Sequence, residues 1–113
     1  MVCMNPPSPS LVLEIDDMTF EPLVLGSDVP FLLDVSSRWC GPCKVLEPVL
    51  RSVAAELAGQ LRVGKLDLEA APDVSRRLAI RGTPTLVLFA AGKEVRRRIG
   101  STSAAGVREL CRP

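Results

Sequence analysis

Residues 31–35 read Phe-Leu-Leu-Asp-Val, an almost continuously apolar run. A strand that is half solvated alternates apolar and polar residues, whereas a continuous run suits a strand covered on both faces. This run therefore predicts a layered fold with helices above and below a sheet. Soon after it, residues 42–57 change to helical spacing, with Val45, Leu46, Val49, Leu50, Val53 and Leu57 forming one apolar stripe. Pro42 falls where a first-turn proline is tolerated, Pro48 should kink the helix, and Gly59 should end it.

The same reasoning orders the rest of the chain. Residues 11–15 suit a short strand, and Asp16 and Asp17 suit caps for a short helix over 19–25. Residues 61–68 form a third strand, 73–78 a short helix and 85–89 a strongly apolar strand. Ala91-Gly92 makes a turn into a strand over 93–99, whose charged face suits a sheet edge, so that Arg96, Arg97 and Arg98 read as a solvated border. Ser101, Thr102 and Ser103 can cap a last helix over 104–111, with Cys111 facing the core. The order is β-α-β-α-β-α-β-β-α. Strands alternating with helices imply parallel pairing, and the tight last turn implies an antiparallel hairpin. The class is α/β, with a central mixed sheet flanked by helices.

The 113 residues suit a single domain. Three prolines and two serines in residues 5–10 mark residues 1–10 as a flexible Pro/Ser-rich tail, which leaves 11–113 as the domain and Cys3 as an exposed tail thiol. A net charge of +1 gives no electrostatic reason to expect nucleic acid or an anionic membrane. No stretch approaches the roughly 20 apolar residues of a membrane helix, and the start of the chain lacks the basic and apolar regions of a signal peptide. The expectation is a cytoplasmic monomer.

With no histidine, the chain lacks the commonest general base and metal ligand, so chemistry falls to its four cysteines and its Asp, Glu and Lys residues. Cys40-Gly41-Pro42-Cys43 lies between the buried strand and the long helix. A helix N-terminus carries partial positive charge and unpaired N–H groups, which favour a thiolate and lower its pKa. Cys40, at the start, should be the exposed nucleophile. Cys43, one turn in, should be more buried, and the spacing brings the two sulfurs together. Three other readings remain: half of a zinc site completed by Cys3 and Cys111, a fixed structural disulfide, and an inactive remnant in an interaction module. Asp34, mid-strand among apolar neighbours, should hold its proton more tightly than usual, and could be paired with Lys65 for structural reasons alone.

Taken in order, several motifs resemble the thioredoxin family, from about Phe20 to Leu110. They are Phe31-Leu32-Leu33-Asp34, Trp39-Cys40-Gly41-Pro42-Cys43-Lys44, Pro48, Val63-Gly64-Lys65-Leu66-Asp67, Ile80-Arg81-Gly82-Thr83-Pro84-Thr85, Gly92 and Gly100. The resemblance implies a thioredoxin fold and a thiol–disulfide oxidoreductase that reduces protein disulfides through a redox-active Cys40–Cys43 disulfide, with no bound cofactor and no metal. It implies that Asp34 accepts the Cys43 proton, that Lys65 tunes Asp34, and that the Thr83–Pro84 peptide is cis. Trp39, Gly41, Pro42, Gly82, Thr83, Pro84, Ile99 and Gly100 would form the rim where disulfide-containing target proteins dock. A flavoprotein like thioredoxin reductase would recycle the enzyme. A non-catalytic module of the same fold and an oxidase or isomerase variant are the alternatives. The chain departs from the family at Ser36, where a second tryptophan is common, and at Val35, where phenylalanine is usual. Both changes should open the pocket around the cysteines. Gly106 in a short last helix should weaken its cover of the sheet.

Overall fold

A computed structural model of the chain describes residues 11–113. The expected tail over 1–10, with Cys3, lies outside the described residues. Five strands form one sheet: β1 (Val12–Ile15), β2 (Phe31–Ser36), β3 (Arg62–Asp67), β4 (Thr85–Ala90) and β5 (Lys93–Ile99), in the order β1-β3-β2-β4-β5. Three α-helices accompany it: α1 (Gly41–Glu56), α2 (Pro72–Arg77) and α3 (Ala104–Leu110). This is an α/β fold, a mixed sheet flanked by helices, as the resemblance implied.

β2 is buried along its whole length, as its apolar run requires. Successive residues of a strand face opposite sides, so β2 feeds two cores. Phe31, Leu33 and Val35 join Phe20, Val24, Val74 and Phe89 on one face. Leu32 joins Leu46, Leu50, Val53, Leu86 and Val107 on the other, beneath α1 and α3. Gly64 of β3 leaves room for its neighbours: a Cβ there would stand 2.7 Å from the Phe31 ring and 2.8 Å from Ile15 Cγ1.

Not every strand pair follows the parallel expectation. β1 and β2 both run parallel to β3, but β4 runs antiparallel to β2 despite the helix that precedes it. α2 has six residues, about 9 Å of rise, too little to carry the chain back along the sheet. β4 therefore starts at the end where β2 and β3 finish, with Thr85 opposite Val35. This return at the same end brings Pro84 and the cysteine pair to one edge of the molecule.

Local structure departs from expectation in four further places. The first helix is a single π-turn, Phe20–Leu25, in which Pro22 withholds an N–H and the Gly26 N–H reaches back to the Glu21 carbonyl at 2.9 Å. Asp16 folds onto the entry to this turn, accepting from the Met18 and Thr19 N–H groups, while Asp17 caps α2 instead, accepting from Asp73 N at 3.3 Å and Val74 N at 2.9 Å. In α1 the buried face follows Cys43, Leu46, Leu50 and Val53. Val45 lies about 100° around the helix from Leu46 and is 68% exposed, so it is not part of the stripe. The arginine run on β5 is more than a solvated border. Arg96 donates to the Leu110 and Arg112 carbonyls at the end of α3, and Arg97 donates to the Leu78 carbonyl on the other side. At Gly106 a Cβ would meet Thr102 Oγ1, which would have to turn aside, and Val107 beside it is the residue by which α3 is buried.

Candidate active site

The turn after β2 delivers Cys40 to the N-cap of α1. The backbone of Cys40 is still extended, and its Sγ accepts the Cys43 N–H at 3.2 Å. The two residues form a disulfide, with Cα atoms 5.3 Å apart. Cys40 is half-buried and Cys43 is 4% exposed. One turn of helix thus sets an accessible sulfur at the end of the dipole and a shielded one behind it. When the bond is reduced, the same N–H and the helix end can stabilise a thiolate on Cys40. The turn is tied from outside the helix: Ser37 Oγ donates to the Glu69 carboxylate at 2.9 Å, and the Cys40 N–H donates to the Ser37 carbonyl at 3.1 Å.

Around this pair the structure gathers two groups of residues. Trp39, Gly41 and Pro42 are exposed at the strand-to-helix junction, Trp39 to 83%. At the same end of the sheet, Thr83–Pro84 is a cis peptide, the Pro84 carbonyl accepts the Gly100 N–H at 2.8 Å, and Thr85 Oγ1 donates to the Gly82 carbonyl at 2.6 Å. Thr85 pairs with both Val35 and Ile99, so Ile99 lies two strands from the end of β2. A Cβ on Gly82 would stand 3.7 Å from Ile99 Cγ2. Gly82, Thr83, Pro84, Ile99 and Gly100 thus form one cluster.

Beneath α1 lies Asp34. It is fully buried, and neither carboxylate oxygen has a hydrogen-bond partner. Burial pushes its pKa up to about 7; Lys65 opposes this and Glu47 adds to it. Such an acid can change protonation state near neutral pH. The structural Asp34–Lys65 pair, one of the two readings open from sequence, is not formed. Lys65 stands beside Asp34 in the strand register, but its Nζ bonds Glu47 Oε2 at 3.1 Å. Glu47 was not among the residues singled out from sequence. Its signal was available, because Glu47 follows Cys43 by four residues, the spacing that puts two side chains on one helix face.

A cavity of about 390 Å³ opens beside the shielded sulfur, lined by Ser36, Cys43, Lys44, Glu47, Lys65 and Asp67 among others. Ser36 is 2% exposed and Val35 fully buried, so small side chains occupy both positions where the family commonly has large aromatic ones. Ser36 lines this cavity, whereas Val35 packs with Phe31 and Leu33 in the core on the opposite face of the sheet, so the change at Val35 does not open the space beside the cysteines.

Cys111 takes no part in this site. It is half-buried against the α1–α3 core, and burial raises its pKa to about 11. Among the described residues, no group of three or more Cys, Asp or Glu side chains is placed to hold a metal ion. No helix among them is long and apolar enough to cross a membrane.

Comparison with known proteins follows the same line. The family model described as Thioredoxin matches residues 11–112. A thioredoxin of Acidithiobacillus ferridurans is 44% identical over 94 residues, covering 83% of this chain and 87% of its own. A thioredoxin of Mycobacterium tuberculosis (strain H37Rv) is 41% identical over 102 residues, covering 89% of this chain and 88% of its own. A bifunctional thioredoxin reductase/thioredoxin of Mycobacterium leprae is 38% identical over 97 residues, which are 86% of this chain and 21% of that one.

Proposed function

The chain belongs to the thioredoxin family and is a thiol–disulfide oxidoreductase, and from that premise we propose that it reduces disulfides in other proteins, with residues 11–113 as its working domain. The observation that carries this reading is the Cys40 sulfur, at the first turn of α1, accepting the Cys43 N–H. Cys40 thiolate attacks one sulfur of the target disulfide. The bond between the target sulfurs breaks, a Cys40–target disulfide forms, and the departing target thiolate takes a proton from water. Asp34, as the carboxylate, takes the proton of the Cys43 thiol. Cys43 then attacks Cys40 Sγ, the second target thiolate leaves and is protonated, and the Cys40–Cys43 disulfide remains. One target disulfide has gained two electrons from the pair and two protons, of which the pair supplies the equivalent of one, from Cys43, and water the other.

Docking is assigned to the rim of Trp39, Gly41, Pro42, Gly82, Thr83, Ile99 and Gly100, with the peptide before Pro84 offered to an extended target segment. Electrons return from NADPH through a flavoprotein of the thioredoxin-reductase type. Support for that partner comes from the Mycobacterium leprae relative, whose name joins the two activities in one polypeptide. The domain works as a monomer in the cytoplasm, where a reducing pool suits this direction, and it needs no cofactor beyond its own disulfide.

The test is turnover of a disulfide-bonded protein with NADPH and thioredoxin reductase. Cys40→Ser should abolish it. Cys43→Ser should stop it after one attack and accumulate the mixed disulfide, visible by intact mass. Cys111→Ser should leave it unchanged. A reduction potential near −270 mV accompanies the reductase role, whereas −120 to −180 mV would make the chain an oxidase or isomerase. A wild-type protein without turnover or a reversible couple would be an interaction module.

A further inference from the structure

Lys65 stands among three carboxylates. In the sheet register it lies beside Glu14 of β1 on one side and Asp34 of β2 on the other. The third, Glu47, comes across from α1, and it is the one that the ammonium meets, at 3.1 Å. Glu47 is itself held at its other oxygen, where Arg51 Nη1 lies 3.5 Å from Oε1. Its carboxylate is therefore fixed between two cations, while the Asp34 oxygens have no partner.

We propose that Glu47 is a positioning residue, which by engaging the Lys65 ammonium keeps that charge from closing on Asp34 and so leaves Asp34 free to take up the Cys43 proton. The inference rests on the proposed role of Asp34 as acceptor of the Cys43 proton. A cation that reached the buried carboxylate would favour its charged form and draw its titration well into the acid range. Asp34 would then be a poorer base at every pH at which Cys43 must lose its proton.

The surroundings leave few other groups to set this balance. β4 faces Asp34 with Leu86, which has no charge. β3 faces it with Lys65, and α1 with Cys43 and Glu47, with Lys44 and Arg51 further around the helix. Glu14 lies beyond Lys65 on β1. Asp67, at the end of β3, is paired with Arg38 at 3.8 Å. The charge of Lys65 lowers the proton affinity of Asp34, the sign the proposal needs, while Glu47 also raises it directly by its own charge, and the Lys65→Met background below separates that direct effect from the holding of Lys65.

The experiment follows the side-chain carboxyl carbon of Asp34 by NMR across pH, in the disulfide form, where Cys40 and Cys43 do not titrate. The wild-type midpoint should lie at about 7. In Glu47→Gln it should fall by about one unit, a tenfold loss of proton affinity. Glu14→Gln is added to a second Glu47→Gln protein so that Glu14 cannot capture the released ammonium; the fall there should be at least as large. In a Lys65→Met background, Glu47→Gln should move the midpoint by less than about a third as much, because nothing remains to be held. No fall in either Glu47→Gln protein would overturn the proposal. An equal fall with and without Lys65 would overturn it too, since Glu47 would then act by its own charge alone. Glu47 is 38% exposed, so these proteins should fold, and far-UV circular dichroism checks that they do. The titration involves no turnover, so a failure of the reductase reading would show separately.

Discussion

At the scale of single residues, Asp34 makes stability depend on pH between its unfolded and folded values. Its ordinary value is 3.8 and its value in the fold about 7, raised by burial. Between those limits the folded chain holds one proton more than the unfolded chain. The stability that this group contributes is therefore full below about pH 4, falls as the pH rises to about 7, and is flat above. Asp34→Asn cannot ionise, so it should gain about 4 kcal/mol over wild type at pH 8 and less than half of that at pH 5. Urea unfolding at the two pH values measures the difference, and an equal gain at both would refute the assignment. The burial of this acid was legible in sequence, because apolar residues surround it on the strand. Its lack of a partner was not. That depends on Glu47 reaching Lys65 from another element, and no spacing along the chain announces a contact between residues 18 positions apart.

At the scale of elements, the strands and helices followed from periodicity and Ser103 caps α3 as expected, but the caps of the first turn and of α2 did not follow. Asp16 and Asp17 are equivalent in the sequence as caps for the turn that follows them. In the fold only Asp16 serves it, and Asp17 reaches 56 residues along the chain to α2. α2 needs this help, because its own N-cap residue is Ala71, which has no side-chain acceptor. Asp17→Ala should therefore destabilise the protein by about 1 kcal/mol and speed amide exchange at Asp73 and Val74. Unchanged exchange at those two amides would mean that water replaces the carboxylate at no loss. The direction of β4 was hidden for a related reason. A helix between two strands implies a parallel crossover only when it is long enough to traverse the sheet, and α2 has six residues.

At the scale of the whole molecule, the sheet divides the interior into two cores that share β2 and β4. Val24 belongs to one core and Val53 to the other, both at 1% exposure or less. Truncating either to alanine should cost roughly 2 kcal/mol. The double variant should lose the sum to within about 0.5 kcal/mol, because the two sites share no neighbours. Denaturant melts of the three variants test this, and a larger coupling would mean that the sheet transmits strain between its faces. That two cores exist was legible in the buried run of β2; which residues complete each one required the strand order. The exposure of Trp39 has a further consequence, for anyone who follows this protein by light. It is the one tryptophan, and there is no tyrosine, so near-ultraviolet emission comes from a single indole that is 83% exposed. An indole already in water has little wavelength left to shift when the chain unfolds. Its intensity will instead follow the oxidation state of the sulfur next to it in the chain, so the natural fluorescence is a poor thermometer of folding and a direct gauge of redox state.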